Sequence, residues 1–403
     1  MSTVGSYLDA NRTSKISHGL KAKRNVEVIT HNPDSVKAGS TLYVKIPQLE
    51  RGQLIVPKSL RLTFKLTTDS KVDDTASAAA AKFTSNVGRN IVDTISMKIG
   101  GRTINEIDKA YIINTFKDFW LTEKQRTNAI MQGIKPERTG AIATAFGDRY
   151  SIPIESEIFD DYMPFYPFAL LESVEYNITF NDPKYVITGK STKKDYSVEN
   201  IQLEFETVYN LDLADQIETM YNTQMRWMYE NIHLLKTENI GANKRVNITV
   251  DVNRKSTKGI LLFFQKTFSE YDTEKTSYQN PDITNVTITS EGISHCIFKS
   301  GIKPYHQYDE IKRFFLKETL KQDEGTLMDV TKYFGDEKYG LFLDLRSTQD
   351  NALHGSGTEM SNIKHGLQLE LTRSSATAYD MHVYIVADAL VALDNGKISG
   401  IVY

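Results

Sequence analysis

The chain has 403 residues, with 48 Lys and Arg against 51 Asp and Glu, and a formal net charge of −3. That balance excludes a globally basic nucleic-acid coat. Hydrophobic residues at 40% and charged residues at 25% exclude a disordered tail protein. The length exceeds what one hydrophobic core usually fills, so two domains are expected. The 21 Tyr and 18 Phe, beside only 10 Pro, favour sheet, where flat rings pack on pleated faces. Cys296 is the one cysteine and can make neither an intrachain disulfide nor a cysteine-cluster metal site. A reducing compartment fits, or a particle that does not rely on oxidation. No run of about 18 apolar residues offers a membrane helix. The N-terminus lacks the apolar core of a secretion signal. The Asn-x-Thr triplets at Asn11, Asn177, Asn247 and Asn285 then read as chance, three of them in strand-like runs.

Residues 1–25 are polar and carry Arg12, Lys15, Lys21, Lys23 and Arg24 against Asp9, a local charge of +4. Without apolar periodicity they read as a flexible basic arm. Order is expected from Val26. Val26–Val28, Thr41–Ile46 and Leu60–Leu66 alternate apolar with polar residues, the pattern of half-buried antiparallel strands. Ile95–Ile99 and Thr103-Ile104 flank Gly100-Gly101, a hairpin signal. Between Asp108 and Leu121 the apolar residues shift to 3–4 spacing, which predicts an amphipathic helix bracing the first β block. Thr122 and Gln125 form a capping-box pattern for a second short helix, ended by Gly133. Strand patterns resume at Tyr150–Ile154, Val174–Phe180 and Ile201–Val208, with Lys184–Asn200 as a polar loop.

A helical pattern over residues 211–225 separates this block, 26–210, from a second, 226–403. The second block repeats the style at Val246–Val252, Ile260–Phe264, Val286–Ile288, Leu341–Leu345, Leu367–Leu371 and Met381–Ala387. Tyr308 to Lys321 is its one helical interruption. Two mostly antiparallel halves point to two sandwiches or jelly rolls.

No catalytic or metal-binding pattern emerges. The eight histidines are scattered, and none has metal-ligand spacing with another. His295 and Cys296 are neighbours on a strand and so point to opposite faces. Thr188–Thr192 lacks the first glycine of a phosphate loop, and His354–Thr358 lacks the frame of a nucleophile elbow. Asp73-Asp74 and Asp160-Asp161 read as solvated turn acids.

Several stretches go beyond composition. Tyr43-Val-Lys-Ile-Pro47, Arg51–Pro57 and Ser59–Leu66 are followed in order by Asn86-Val-Gly-Arg-Asn90, Lys98-Ile-Gly-Gly101, Phe116–Thr122 and Met163-Pro-Phe-Tyr-Pro167. The series resembles the major capsid proteins of Polinton (Maverick) elements and adintoviruses, in the hexon-like lineage that includes adenoviruses and virophages. It covers mainly residues 40–210, with Tyr339–Arg346 agreeing in the second half. The resemblance implies a mainly β double jelly roll: two consecutive eight-stranded antiparallel jelly rolls with short helical insertions. It implies a structural subunit without cofactor or enzymatic activity, forming pseudo-hexameric homotrimers that tile an icosahedral shell. Its partners would be itself, penton and minor capsid proteins, and packaged DNA or an internal membrane met by the arm. Its place would be the virion, assembled inside the host cell and not secreted. Trimer interfaces would absorb the Tyr and Phe left outside the cores, and loops 184–200 and 348–363 would decorate an outer or lateral face. The alternatives are a carbohydrate-binding or adhesin β-sandwich and, behind it, a hydrolase on two sandwiches.

Overall fold

The computed structural model describes residues 23–30, 35–68, 82–84, 86–134, 149–155, 164–188, 195–223, 225–241, 244–266, 277–290, 293–294, 298–316, 326, 328–335, 337–347, 356–361, 364–371 and 378–403. The first half contributes β1 (Lys23–Thr30), β2 (Ser35–Lys37), β3 (Thr41–Lys45), β4 (Gln53–Ile55), β5 (Arg61–Thr68), β6 (Lys82–Phe83), β7 (Val92–Ile99), β8 (Arg102–Ile107), β9 (Arg149–Pro153), β10 (Val174–Phe180), β11 (Ile187–Thr188) and β12 (Tyr196–Tyr209). The second half contributes β13 (Met225–Asn239), β14 (Arg245–Asp251), β15 (Thr257–Gln265), β16 (Ile283–Ser290), β17 (Ile293–Ser294), β18 (Gly340–Asp344), β19 (Lys364–Leu371), β20 (Asp380–Asp394) and β21 (Lys397–Val402).

Each half is two antiparallel sheets. In the first, β1-β12-β5-β9 faces β3-β10-β7-β8, with β2 and β4 also on β12 and β6-β11 as a small separate pair. In the second, β13-β20-β15-β18, joined by β21, faces β14-β19-β16-β17. The two halves share one order. First and last long strands lie side by side, and the inner strands interleave, which is the jelly-roll winding made twice. Each half also inserts a helix at the same point, between its fifth and sixth main strands. These are Ala110–Asp118 after β8 and Pro304–Leu316 after β17.

The predicted alternation is realised in β10, where Val174, Tyr176, Ile178 and Phe180 are buried and the residues between them are not. The capping box is present, with Gln125 N–H donating to Thr122 Oγ1 at 3.2 Å and Thr122 N–H to Gln125 Oε1 at 2.8 Å. Gly133 ends that segment at φ +69. Gly88 cannot be larger, because a Cβ there would lie 1.6 Å from the Gln132 carbonyl oxygen.

Four expectations change. The Lys184–Asn200 loop contains a helical turn, Pro183–Val186, and β12 already starts at Tyr196. β1 takes in the last three residues of the expected arm. β13 follows directly on the connecting helix Leu211–Asn222 and runs 15 residues. Finally, the Ala110–Asp118 helix does not brace the first roll alone. Its apolar stripe, Tyr111, Ile112, Ile113 and Phe116, continues through Phe119 and Trp120 into the core of the second roll.

Candidate functional site

The seam between the rolls is built by exchange. The Phe116 ring, from the first half, sits 4.9 Å from Phe263, 5.4 Å from Tyr278 and 5.2 Å from Phe315. Trp120 stacks on Phe315 with planes 14° apart. In return, Met225, Trp227 and Tyr229 of β13, Ala389, Val391 and Leu393 of β20, and Ile398 of β21 belong to the core of the first roll. Long strands make this possible, since β13 and β20 pair over their whole lengths and outrun their own sandwich.

Tyrosine hydroxyls fasten the seam. Tyr403 donates to the Thr103 carbonyl at 2.9 Å, Tyr384 to the Lys109 carbonyl at 3.0 Å, Tyr278 to the Ile112 carbonyl at 2.8 Å, and Tyr229 to the Ile104 carbonyl. All four donors come from the second half and all four acceptors lie in residues 103–112. Burial holds the Tyr278 and Tyr384 hydroxyls far above the usual phenol range, so they remain donors at any ordinary pH. Arg102 Nη1 donates to the Ile398 carbonyl at 3.0 Å, and Asn231 Nδ2 to Asn105 Oδ1 at 2.8 Å. The Asn395-Gly396 turn docks on the first roll, where a Cβ on Gly396 would lie 2.6 Å from the Ala169 carbonyl oxygen.

A buried ion network anchors the exchanged helix at its C-terminal end. Arg89 Nε and Nη2 grip the two oxygens of Asp118 at 2.9 and 3.0 Å, and Nη1 reaches Glu155 at 2.9 Å. Lys117 Nζ holds the other Glu155 oxygen at 3.1 Å. Arg89 and Asp118 keep 8% and 3% of their side-chain exposure. Burial pushes Glu155 up, but the charges of Arg89 and Lys117 outweigh it and bring its carboxyl down to about 2. Burial likewise works against the Arg89 charge, and the two carboxylates overcome it, raising its pKa. The adjoining cavity, about 20 Å³ and lined by Asn114, Ile152 and Ile178 among others, has room for a water.

The outer face of the β13-β20-β21 sheet carries an apolar row. Met228 lies opposite Leu390, and Leu390 opposite Val402, with Met228 and Val402 47% and 42% exposed. Elsewhere the aromatics are mostly consumed within the chain. Among the described residues only Tyr43, Tyr209 and Tyr305 are strongly exposed aromatics. Among the described residues, most Tyr and Phe side chains are thus buried in the two cores.

Of the basic residues, Lys23 and Arg24 lie in β1, paired with Tyr209 and Val208 of β12. Arg12, Lys15 and Lys21 lie outside the described residues, as do Cys296, His295, Asp73-Asp74 and Asp160-Asp161. Among the described residues no cluster of three His, Cys, Asp or Glu side chains could hold a metal, and no helix is long and apolar enough to cross a membrane. The Thr348–Ile363 loop is described only over 356–361. There Thr358 bridges Thr257, and Gly357 N–H donates to Ser256 Oγ at 3.2 Å.

Residues 22–146 match the family model described as the major capsid protein N-terminus. The PBCV-1 protein VP54, fitted into a reconstruction of the virophage Sputnik, superposes with a TM-score of 0.65 at 11% identity. That match covers 95% of this chain and 98% of VP54. The chain has the fold of a viral major capsid protein, the double jelly roll. The mavirus major capsid protein agrees at a TM-score of 0.54 and 11% identity, covering 94% of this chain and 90% of its own. The Faustovirus major capsid protein agrees at 0.54 and 10%, covering 97% and 98%. A search of curated proteins by sequence finds no match. The double jelly roll thus extends over both halves, while the family model covers the part of the first that carries β1 to β8 and the exchanged helix.

Proposed function

We propose that this chain is a major capsid protein, a structural subunit whose double jelly rolls form pseudo-hexameric homotrimers that tile an icosahedral shell. The observation that carries the reading is the seam. The two rolls share strand order and insertion point, yet exchange core elements, so one chain presents two similar wedges as a single rigid block. Three such chains offer six similar wedges, which suits a threefold object in a hexagonal position. The Met228–Leu390–Val402 row gives neighbouring copies an apolar face. The ordered motifs from Tyr43 to Pro167 favour the Polinton and adintovirus branch of this lineage. The basic residues Arg12, Lys15, Lys21, Lys23 and Arg24 face the particle interior in this account, toward DNA, an internal membrane or a minor capsid protein. Penton proteins complete the shell, which forms inside the host cell. Electron microscopy of the expressed chain tests this. Hexagonal plates or closed shells are expected, and deletion of residues 1–22 should leave capsomers intact but impair closure. Isolated particles with no lateral order under any assembly condition would contradict the reading.

A further inference from the structure

The strands of the second roll that reach the seam also carry a cluster of reactive groups. Lys258 of β15 is 2% exposed, and its Nζ lies 2.9 Å from Asp388 Oδ1 on β20 and 3.3 Å from Glu230 Oε2 on β13. The three strands are neighbours in one sheet, and Glu230 is directly opposite Asp388 in register. Two like charges placed opposite each other are unfavourable unless a cation divides them, which is where Lys258 sits. A register irregularity between Thr257 and Gly259 places Lys258 there. Ser256 Oγ donates to the second Asp388 oxygen at 2.7 Å, and Gly357 N–H fixes that hydroxyl.

Each role of an acyl-transfer site is filled within hydrogen-bond reach: a primary amine, a carboxyl carbon, a donor on the carboxyl oxygen and a second carboxylate on the amine. We propose that Lys258 and Asp388 condense to an intramolecular amide, with Glu230 as proton carrier. In the step, one proton passes from the Lys258 ammonium to Asp388 Oδ1. The freed amine pair attacks Asp388 Cγ, forming the C–N bond, while Ser256 stabilises the oxygen that gains charge. Glu230 takes a second proton from nitrogen and delivers it to the departing hydroxyl. The Cγ–Oδ1 bond breaks, water leaves, and Glu230 returns to its starting state. Ammonium plus carboxylate become amide plus water, with no oxidant or co-reactant. Holding the reactants in contact in a largely buried site supplies the large effective concentration that such a condensation needs. The product is a covalent staple between β15 and β20 in a chain whose lone cysteine cannot make one. The proposal does not depend on the capsid reading.

Intact mass spectrometry of the purified, denatured chain tests it. The expected mass is one water below that of the sequence, and a protease digest should yield one branched peptide joining the segments that carry Lys258 and Asp388. Glu230→Gln keeps the amine and the carboxyl but removes the proton carrier. It should fold, judged by an unchanged circular dichroism spectrum, and show the full sequence mass. Lys258→Arg, which keeps the charge but loses the competent amine, should also show the full mass and serves if Glu230→Gln does not fold. A wild-type chain of full mass, or a water loss that maps elsewhere or survives Glu230→Gln or Lys258→Arg, would overturn the assignment and leave an ordinary ion triad.

Discussion

The two rolls share a winding but differ in how their sheets are covered. In the first, β5, β10 and β12 bury alternate residues and leave the others partly open. In the second, all nine residues of β15 and all five of β18 are buried. A strand hidden on both faces needs a layer on each side. The second roll obtains its extra layer from helix Pro304–Leu316 and from helix Ala110–Asp118, the latter lent by the other half. Phe314 packs on Phe342 of β18 at 4.6 Å, and Phe116 on Phe263 of β15. The second roll therefore depends on the first for part of its core. The first depends on the second for one end, where β13, β20 and β21 enter it.

Separating the halves should break this dependence with the largest effect. Residues 226–403 expressed alone are expected to lack a cooperative thermal transition, because β15 would expose its outer apolar face. A sharp transition and native-like circular dichroism from that fragment would show the rolls to be independent.

Single substitutions sharpen the same comparison. Arg89→Met leaves Asp118 buried without its partner and should cost about 3–5 kcal/mol in chemical denaturation. Phe116→Ala, which opens a cavity in the second roll from a residue of the first, should cost about 3–5 kcal/mol. A loss felt by probes in only one roll would contradict the shared core. Tyr278→Phe removes one seam hydrogen bond and should cost about 0.5–1.5 kcal/mol. Acid should act through Glu155. Its carboxyl is lowered from an ordinary 4.5 to about 2, so its contribution is complete above pH 4.5 and is lost as pH falls toward 2. Comparing wild type with Glu155→Gln across that window should show the difference in stability shrinking as pH drops.

The sequence made the strands of the first roll legible, because β5, β10 and β12 alternate over a half-buried sheet. It also placed the helix near residues 108–121, since 3–4 spacing marks a buried stripe. It did not reveal what the stripe packs against, because periodicity reports that a face is covered and not by which element. β13 was hidden because Asn231 is buried and Met228 exposed, which blurs its alternation. The last hairpin carries a readable signal, Asn395-Gly396 between apolar runs. The Arg89 network was out of reach, as its members are 29 and 66 residues apart and meet only after both sheets form. The Lys258 triad joins three separate strands for the same reason.

The most direct test of the account is the mass of the purified chain in solution at micromolar concentration, by size exclusion with light scattering. A rigid double roll that serves as a shell subunit predicts a stable trimer, three times the 45.7 kDa chain. A monodisperse monomer that stays monomeric under assembly conditions would contradict it.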